Sequence, residues 1–278
     1  MNIPLYILSL IICTGIVVGL YFLLRNKNQK TQKIVLFSIL VFSLILHFLK
    51  SLFPPYSTDM DRMLRDSWFI NICGANIALY PFFYISKSKS AKDYMFYLGC
   101  LGGLIAIIYP MEVLVKANPY GEVLDVLRFY WHHLMLFAVP LLMLLFKHHT
   151  LSYKRILYMP LWLLAVCAFC MLNQVLQSEL GFIPMRGNDI IEPNYKNSSL
   201  IWAPPDNGFF RFLVPEFMRT IPYGPNAGQA KYWPLLWAVV PLYVIFVPLC
   251  FLLSMIFDFK NIKNDFKNFF AKFKKRNN

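Results

Sequence analysis

Charge is what this chain has least of. Only 15% of its 278 residues are Asp, Glu, Lys or Arg, against about a quarter in an ordinary soluble domain. A chain of this length with so little charge has lipid, not water, as its main solvent. Acid is scarcer still, 14 Asp and Glu against 27 Lys and Arg, for a formal net charge of +13. That excess does not point to nucleic acid. It lies in short connections and a tail beside apolar runs, where membrane topology and anionic lipid account for it, and no nucleic-acid partner is expected.

Other absences narrow the reading further. Neither a strong internal repeat nor a pair of broken mid-membrane helices is evident, and these are the usual marks of a secondary transporter. The first apolar run lacks a basic region before it and a small-residue cleavage site, and the bulky Ile12 before Cys13 argues against lipoprotein processing. The expectation is that this run is retained as a helix. Five histidines and six cysteines show no metal-ligand spacing. Cys167 and Cys170 have redox-pair spacing, but Ala168 and Phe169 between them offer no further ligand, so no metal or other cofactor is expected. Buried apolar packing explains most of the cysteines.

What the chain has in quantity is apolar sequence, 58% of the total. The runs are Ile3 to Leu24, Ile34 to Phe53, Trp68 to Ile85, Tyr94 to Met111, Val126 to Phe146, Ile156 to Val175 and Trp233 to Phe257. Each approaches or exceeds the roughly 18–20 residues that span hydrocarbon, although the third and fourth are short and interrupted by Gly or Pro. The pattern predicts an all-α fold: a polytopic seven-helix transmembrane bundle.

Lys and Arg set its orientation. Of the 27, 17 fall in alternate gaps and the tail: Arg25 to Lys33, Lys87 to Lys92, Lys147 to Arg155, and Lys260 to Arg276. The remaining 10 are spread over longer connections. By the positive-inside rule the first set is cytoplasmic. This predicts a multi-pass plasma-membrane protein with its amino terminus outside and its carboxyl terminus inside. Residues 1–257 form one membrane domain. The long connection 180–232, with seven prolines among many aromatics, reads as a structured extracytoplasmic loop capping the outer mouth before the last helix. In residues 258–278, Phe259, Ile262, Phe266, Phe269 and Phe273 recur at helical steps between lysines. That is a basic amphipathic helix for the cytoplasmic leaflet.

Polar residues inside spans are expensive and mark sites or helix contacts. Here they gather at one predicted depth near the outer face. His47 and Lys50 close the second run; Asn71, Cys73 and Asn76 open the third; Glu112 follows the fourth. Arg128, His132 and His133 begin the fifth, and Asn173, Gln174 and Gln177 finish the sixth. The inner halves of the same runs read as almost purely apolar. The arrangement predicts a funnel open to the outside with a polar floor. Each residue also has a structural use: His47 as a cap, Arg128 snorkelling, Asn173 and Gln174 as hydrogen-bonded helix glue. Cys73 stands out because Asn76 shares its face and His133, or alternatively His132, could serve as a base from hydrogen-bond distance.

Taken in order, these residues resemble the bacterial YwaF-like integral membrane family, which is related to the eukaryotic TMEM164 proteins. A typical bacterial member opens its third span with Leu-Pro-Leu-His-Leu-Cys, where this chain has Trp68-Phe69-Ile70-Asn71-Ile72-Cys73. The cysteine matches, and Asn71 stands where the histidine would be. His132-His133 corresponds to a fifth-span Ser-His signature, Asn194-Tyr195-Lys196 to an Asn-Tyr-Met motif, and Trp233-Pro234 to a Trp-Pro that opens the last span. The resemblance implies a seven-span plan and lipid acyl-transfer chemistry by a cysteine with a histidine. In the eukaryotic relatives that cysteine directly precedes the motif histidine, a place that falls on Ile70 here.

Two function classes follow. In the first, the protein binds a membrane lipid or acyl substrate and performs acyl transfer or hydrolysis. Cys73 is then the nucleophile and His133 the base (His132 as the alternative), with His47, Asn71, Asn76, Arg128, Asn173, Gln174, Asn194 and Tyr195 lining the substrate site. In the second, it is a non-catalytic lipid- or small-molecule-binding protein, a sensor or a transporter subunit.

Overall fold

The computed structural model describes residues 3–110, 123–181, 200–202, 204, 212–220, 224, 225, 227, 228 and 232–276. Among them the chain is helical, with no β-strand. Helix α1 is Ile3–Leu24, α2 is Gln29–Leu49 and α3 is the short Met60–Ser67. Helix α4 is Ile72–Ile85 and α5 is Lys89–Ile108, carrying a π turn over Gly99–Leu104. Helix α6 is Val123–Leu145 and α7 is Met159–Glu179. A series of short turns over 236–246 then leads into α8, Val247–Arg276.

Six of these segments are long and apolar enough to cross a membrane, and α4 is a shorter apolar helix. Its 14 residues rise only about 21 Å, because Trp68 to Asn71 of the third apolar run stay outside the helix. Starts are written locally. Asn28 accepts the Thr31 amide at 2.9 Å to cap α2, and Ser88 accepts the Ala91 amide at 3.2 Å to cap α5. Side-chain oxygens thus take up backbone donors that the start of a helix leaves unpaired.

Burial separates the lipid-facing helices from the core. Only 11% of the apolar window of α1 is buried inside the protein, against 67% of that of α6. Apolar residues of α1 such as Ile11 and Leu23 therefore face outward, which makes sense only where lipid is the solvent. The core lies among α2, α4, α5, α6 and α7, around Tyr80, Tyr94, Met95, Leu142, Met143 and Met159. A smaller cluster joins α1 to α6 through Cys13, Phe129, Tyr130 and Leu134.

Helices α5 and α6 touch backbone to backbone. A Cβ placed on Gly99 would lie 2.4 Å from the Leu136 carbonyl oxygen, and one on Gly103 would lie 2.8 Å from that of His133. Glycines four residues apart on one face allow this approach, and it fixes α6 at the level of His133.

Part of the long connection packs against the bundle, while Phe212 and Phe217 within it are exposed. Ile201 and Trp202 are buried, and Ile201 accepts the Leu235 amide at 3.0 Å. At the opposite, lysine-rich end, α8 kinks at Asp258 (φ −124°, ψ 15°). The Asp258 carboxylate accepts the Tyr153 amide at 2.9 Å and Asp265 accepts the Tyr153 hydroxyl at 2.6 Å. Beyond the kink Ile262 is buried, while Phe259, Phe266, Phe269 and Phe270 are exposed.

Candidate functional site

Cys73 occupies the first turn of α4. The turn is set by Asn71, whose side chain accepts the Gly74 amide at 2.7 Å in the N-cap position. Asn71 is itself exposed, and Cys73 half-buried. The thiol is therefore shallower in its helix than a start at Trp68 would have made it. It lies at the amino-terminal end of the helix, where the helix dipole favours negative charge.

His133 reaches the same place from the middle of α6. Its ring and the Cys73 thiol interact directly. One ring nitrogen is committed elsewhere: Nδ1 lies 2.8 Å from the Phe129 carbonyl oxygen. A carbonyl can only accept, so Nδ1 carries the hydrogen and Nε2 keeps its lone pair. Nε2 is the nitrogen left for the thiol. A histidine whose other nitrogen is anchored can accept a proton from a cysteine beside it.

A second layer of polar groups surrounds this pair. His47 of α2 stacks on Phe69 with centroids 5.0 Å apart and lies 6.1 Å from the His132 ring. Its Cε1 would be in ordinary contact, 3.6 Å, with a Cβ on Gly74, whose tighter neighbour is the capping Asn71 Oδ1 at 3.2 Å. Arg128 donates from Nε to Asp125 at 3.0 Å and from Nη2 to the Tyr56 hydroxyl at 3.2 Å. Its Nη1 lies 3.3 Å from His132 Nδ1. Arginine has no acceptor, so His132 takes that hydrogen bond on Nδ1 and carries its own hydrogen on Nε2, which has no partner. That geometry engages His132 with Arg128, whereas His133 faces the thiol.

Beside this cluster a groove of about 360 Å³ runs between α1, α2 and α6. Its walls include Ile12, Ile16, Phe42 and Trp131, and its polar end carries Lys50, Arg128 and Asp125. The Lys50 ammonium lies 5.1 Å from the centre of the Tyr56 ring. Cys73 and His133 are not among its lining residues.

The other expected site residues have separate placements. Asn76 is fully buried and accepts the Tyr94 hydroxyl at 3.3 Å, with its own Nδ2 unpartnered. Asn173 bonds back to the Phe169 carbonyl in its own helix at 2.8 Å. Gln174 donates to the Ile70 carbonyl at 2.9 Å and accepts the Trp202 indole hydrogen at 2.6 Å. It thereby ties the segment before α4 to the long connection. Asn194 and Tyr195, like Glu112, lie outside the described residues.

The lysine-rich half is more polar than its apolar sequence suggested. Asp93, wholly buried, pairs with His149 at 2.5 Å and with Arg155 at 2.5 Å, and joins α5 to the turn before α7. The sequence signal was a lone acid directly before the fourth apolar run. Tyr56, Trp131 and Trp202 also bear on the cluster around His132 and Gln174. Nothing in their local sequence distinguishes them from packing aromatics. Among the described residues no group of three or more His, Cys, Asp or Glu side chains is placed to hold a metal ion.

A family model described as the TMEM164 family matches residues 2–213, well over half of the chain and including Cys73 and His133. Neither a curated protein nor a solved structure gives a match.

Proposed function

The chain belongs to the TMEM164 family, and on that premise we propose that this multi-pass membrane protein transfers or hydrolyses an acyl group drawn from a membrane lipid, through Cys73 and His133. The observation that carries the reading is the direct interaction of the Cys73 thiol with a His133 ring whose Nδ1 is held by Phe129. In this reading α4 is a seventh, short span. The loop end faces outside and the lysine-rich end faces the cytoplasm of a plasma-membrane protein.

The chemistry needs only these groups and the substrate. His133 Nε2 takes the thiol proton as Sγ attacks the acyl carbonyl. The carbon–oxygen bond of the ester breaks, the leaving alkoxide receives that proton from His133, and a thioester remains on Cys73. An alcohol or water then attacks the thioester, giving its proton to His133, and the thiolate leaves and recovers the proton. Negative charge on the tetrahedral oxygen is favoured at the first turn of α4. Asn71 serves this site as the helix cap rather than as the family's histidine.

One observation favours a second reading, in which the protein binds lipid without chemistry. The groove with Lys50 and Arg128 at its polar end is shaped for a chain and a headgroup, yet it excludes Cys73. A single experiment separates the two. Full-length protein in lipid nanodiscs is treated with an activated long-chain acyl ester, and thioesters are mapped by mass spectrometry. Acylation at Cys73, lost in Cys73→Ala and slowed in His133→Gln, upholds acyl transfer. Acylation unaffected by both variants, or absent from Cys73, leaves the binding protein.

A further inference from the structure

A second cavity, of about 400 Å³, opens at the lysine-rich end between α2, α4 and α6, away from Cys73. Four of its lining residues are polar: Lys33, Tyr84, Lys92 and His148. No carboxylate is among them. Lys33 and Lys92 bring two groups of like charge to the same cavity. Asp93, next to Lys92, is turned away and taken up by His149 and Arg155.

Two buried polar atoms are left over at this cavity. The Tyr84 hydroxyl, on a residue only 7% exposed, has no hydrogen-bond partner, and neither has His148 Nδ1. The state of His148 follows from its neighbours. Gln32 gives its amide hydrogen to the Leu24 carbonyl at 3.0 Å, so its oxygen is the atom 2.9 Å from His148 Nε2. Nε2 must therefore carry a hydrogen. Nδ1 is the position that gains one when the ring becomes charged.

Orphaned polar groups in a buried site are costly unless something fills it. Two cations, a hydroxyl donor and an imidazole that can become a second-nitrogen donor are complementary to one kind of group. We infer that this cavity is a binding site for a phosphate group, held by Lys33, Lys92, the Tyr84 hydroxyl and protonated His148. Charge-assisted hydrogen bonds to phosphate oxygens satisfy every unpaired donor there. The exposed Ile34 and Ile85 at its rim continue onto the lipid-facing surface, along which an acyl chain attached to that phosphate can lie. A phosphorylated compound from the aqueous phase would use the same four groups without the rim.

Burial and the nearby Lys33 hold the free His148 below the usual histidine range. A phosphate beside it, facing Lys33, Lys92 and Tyr84, stabilises the charged ring and raises it. The bound state then takes up a proton, so affinity for a phosphodiester, whose own charge is constant, strengthens as pH falls through the His148 titration.

The test uses full-length protein in detergent with three probes: dioctanoyl phosphatidylglycerol, dioctanoyl phosphatidylcholine and inorganic phosphate. Binding is read by native mass spectrometry and by the His148 ring resonances. The expected result is saturable binding of phosphatidylglycerol, weakened about tenfold or more in Lys33→Gln/Lys92→Gln and less in Tyr84→Phe. A concomitant rise in the His148 titration is expected in the wild-type protein. Phosphatidylglycerol binding without inorganic phosphate identifies a lipid headgroup, and equal binding of inorganic phosphate identifies a soluble source. Phosphatidylcholine binding as tightly as phosphatidylglycerol, affinity untouched in the double variant, or no anion bound at all overturns the site. Tyr84→Phe, which removes one oxygen from a buried ring, keeps the test valid if the lysine variant does not fold.

Discussion

His133 donates its Nδ1 hydrogen to the Phe129 carbonyl oxygen, one helical turn earlier, at 2.8 Å. The bond uses a backbone acceptor that belongs to the helix itself. It sets which nitrogen faces Cys73 without needing a third side chain. Cysteine and serine hydrolases commonly orient their base with a carboxylate or amide side chain, whereas the His133 ring is oriented by a carbonyl of its own helix.

The neutral His133 ring is therefore expected as the Nδ1–H tautomer. Nitrogen-15 spectra of selectively labelled protein should show a protonated Nδ1 and an unprotonated Nε2. Substituting His133→Gln should slow acylation of Cys73 on the order of 10²-fold, the low end of what a positioned base contributes. His132→Gln should slow it far less, because that ring is engaged with Arg128.

Gly103→Ala should destabilise the protein although alanine is the better helix former. The intrinsic gain is about 1 kcal/mol, but the new methyl would lie 2.8 Å from a backbone oxygen that cannot move aside. Overpacking costs about 1–3 kcal/mol, so strain wins, and it falls on the His133 carbonyl. Gly102→Ala is the control. Its nearest neighbour is the flexible Leu98 side chain at 3.7 Å, so the propensity gain should survive. Thermal unfolding should order the three as Gly102→Ala, wild type, Gly103→Ala, with Gly103→Ala also losing acylation.

Gln174→Leu should loosen the loop end. It leaves the Trp202 indole hydrogen and the Ile70 carbonyl without their shared partner, at about 1–3 kcal/mol for each buried group. Faster proteolysis of the connection before α8, with a red-shifted tryptophan emission, would report it. Unchanged cleavage would mean that Gln174 contributes nothing to holding that connection.

Asp93→Ala should be among the most damaging single changes outside the Cys73 site. It strands Arg155 and His149 against a buried face, and breaking such a pair costs about 3–5 kcal/mol. Lys154→Ala, which removes a solvent-exposed pair with Asp265, should leave the melting temperature unchanged. Both are read by thermal unfolding in the same detergent.

Much of the architecture was legible because hydrocarbon imposes a simple rule. Segments that satisfy their own backbone and present apolar side chains become helices, so the runs beginning at Ile3, Ile34, Val126 and Ile156 all reappear as α1, α2, α6 and α7. The third run misled in length. Trp68 to Ile70 are apolar, yet the Asn71 cap starts the helix later, and a local side-chain hydrogen bond overrode hydropathy. The polar half-site at Asp93 was hidden for a related reason. One acid directly before an apolar run does not reveal that His149 and Arg155, more than fifty residues away, will meet it.

By itself the amino-acid sequence determined the solvent, the number of apolar runs, the bias of positive charge and the polar residues to be accounted for. It could do so because transfer into lipid is decided residue by residue. Only the tertiary structure decided which of those polar residues meet. Helix rotation and the close glycine contact of α5 with α6 turn His133 toward Cys73, whereas His132 meets Arg128 one turn earlier in its own helix, although the two histidines are neighbours in the chain. They also bring Gln174 to Ile70 and Trp202, while Asn173 bonds locally to its own helix. Rotation about a helix axis is set by packing against neighbours that lie far away in sequence, and no local pattern encodes it.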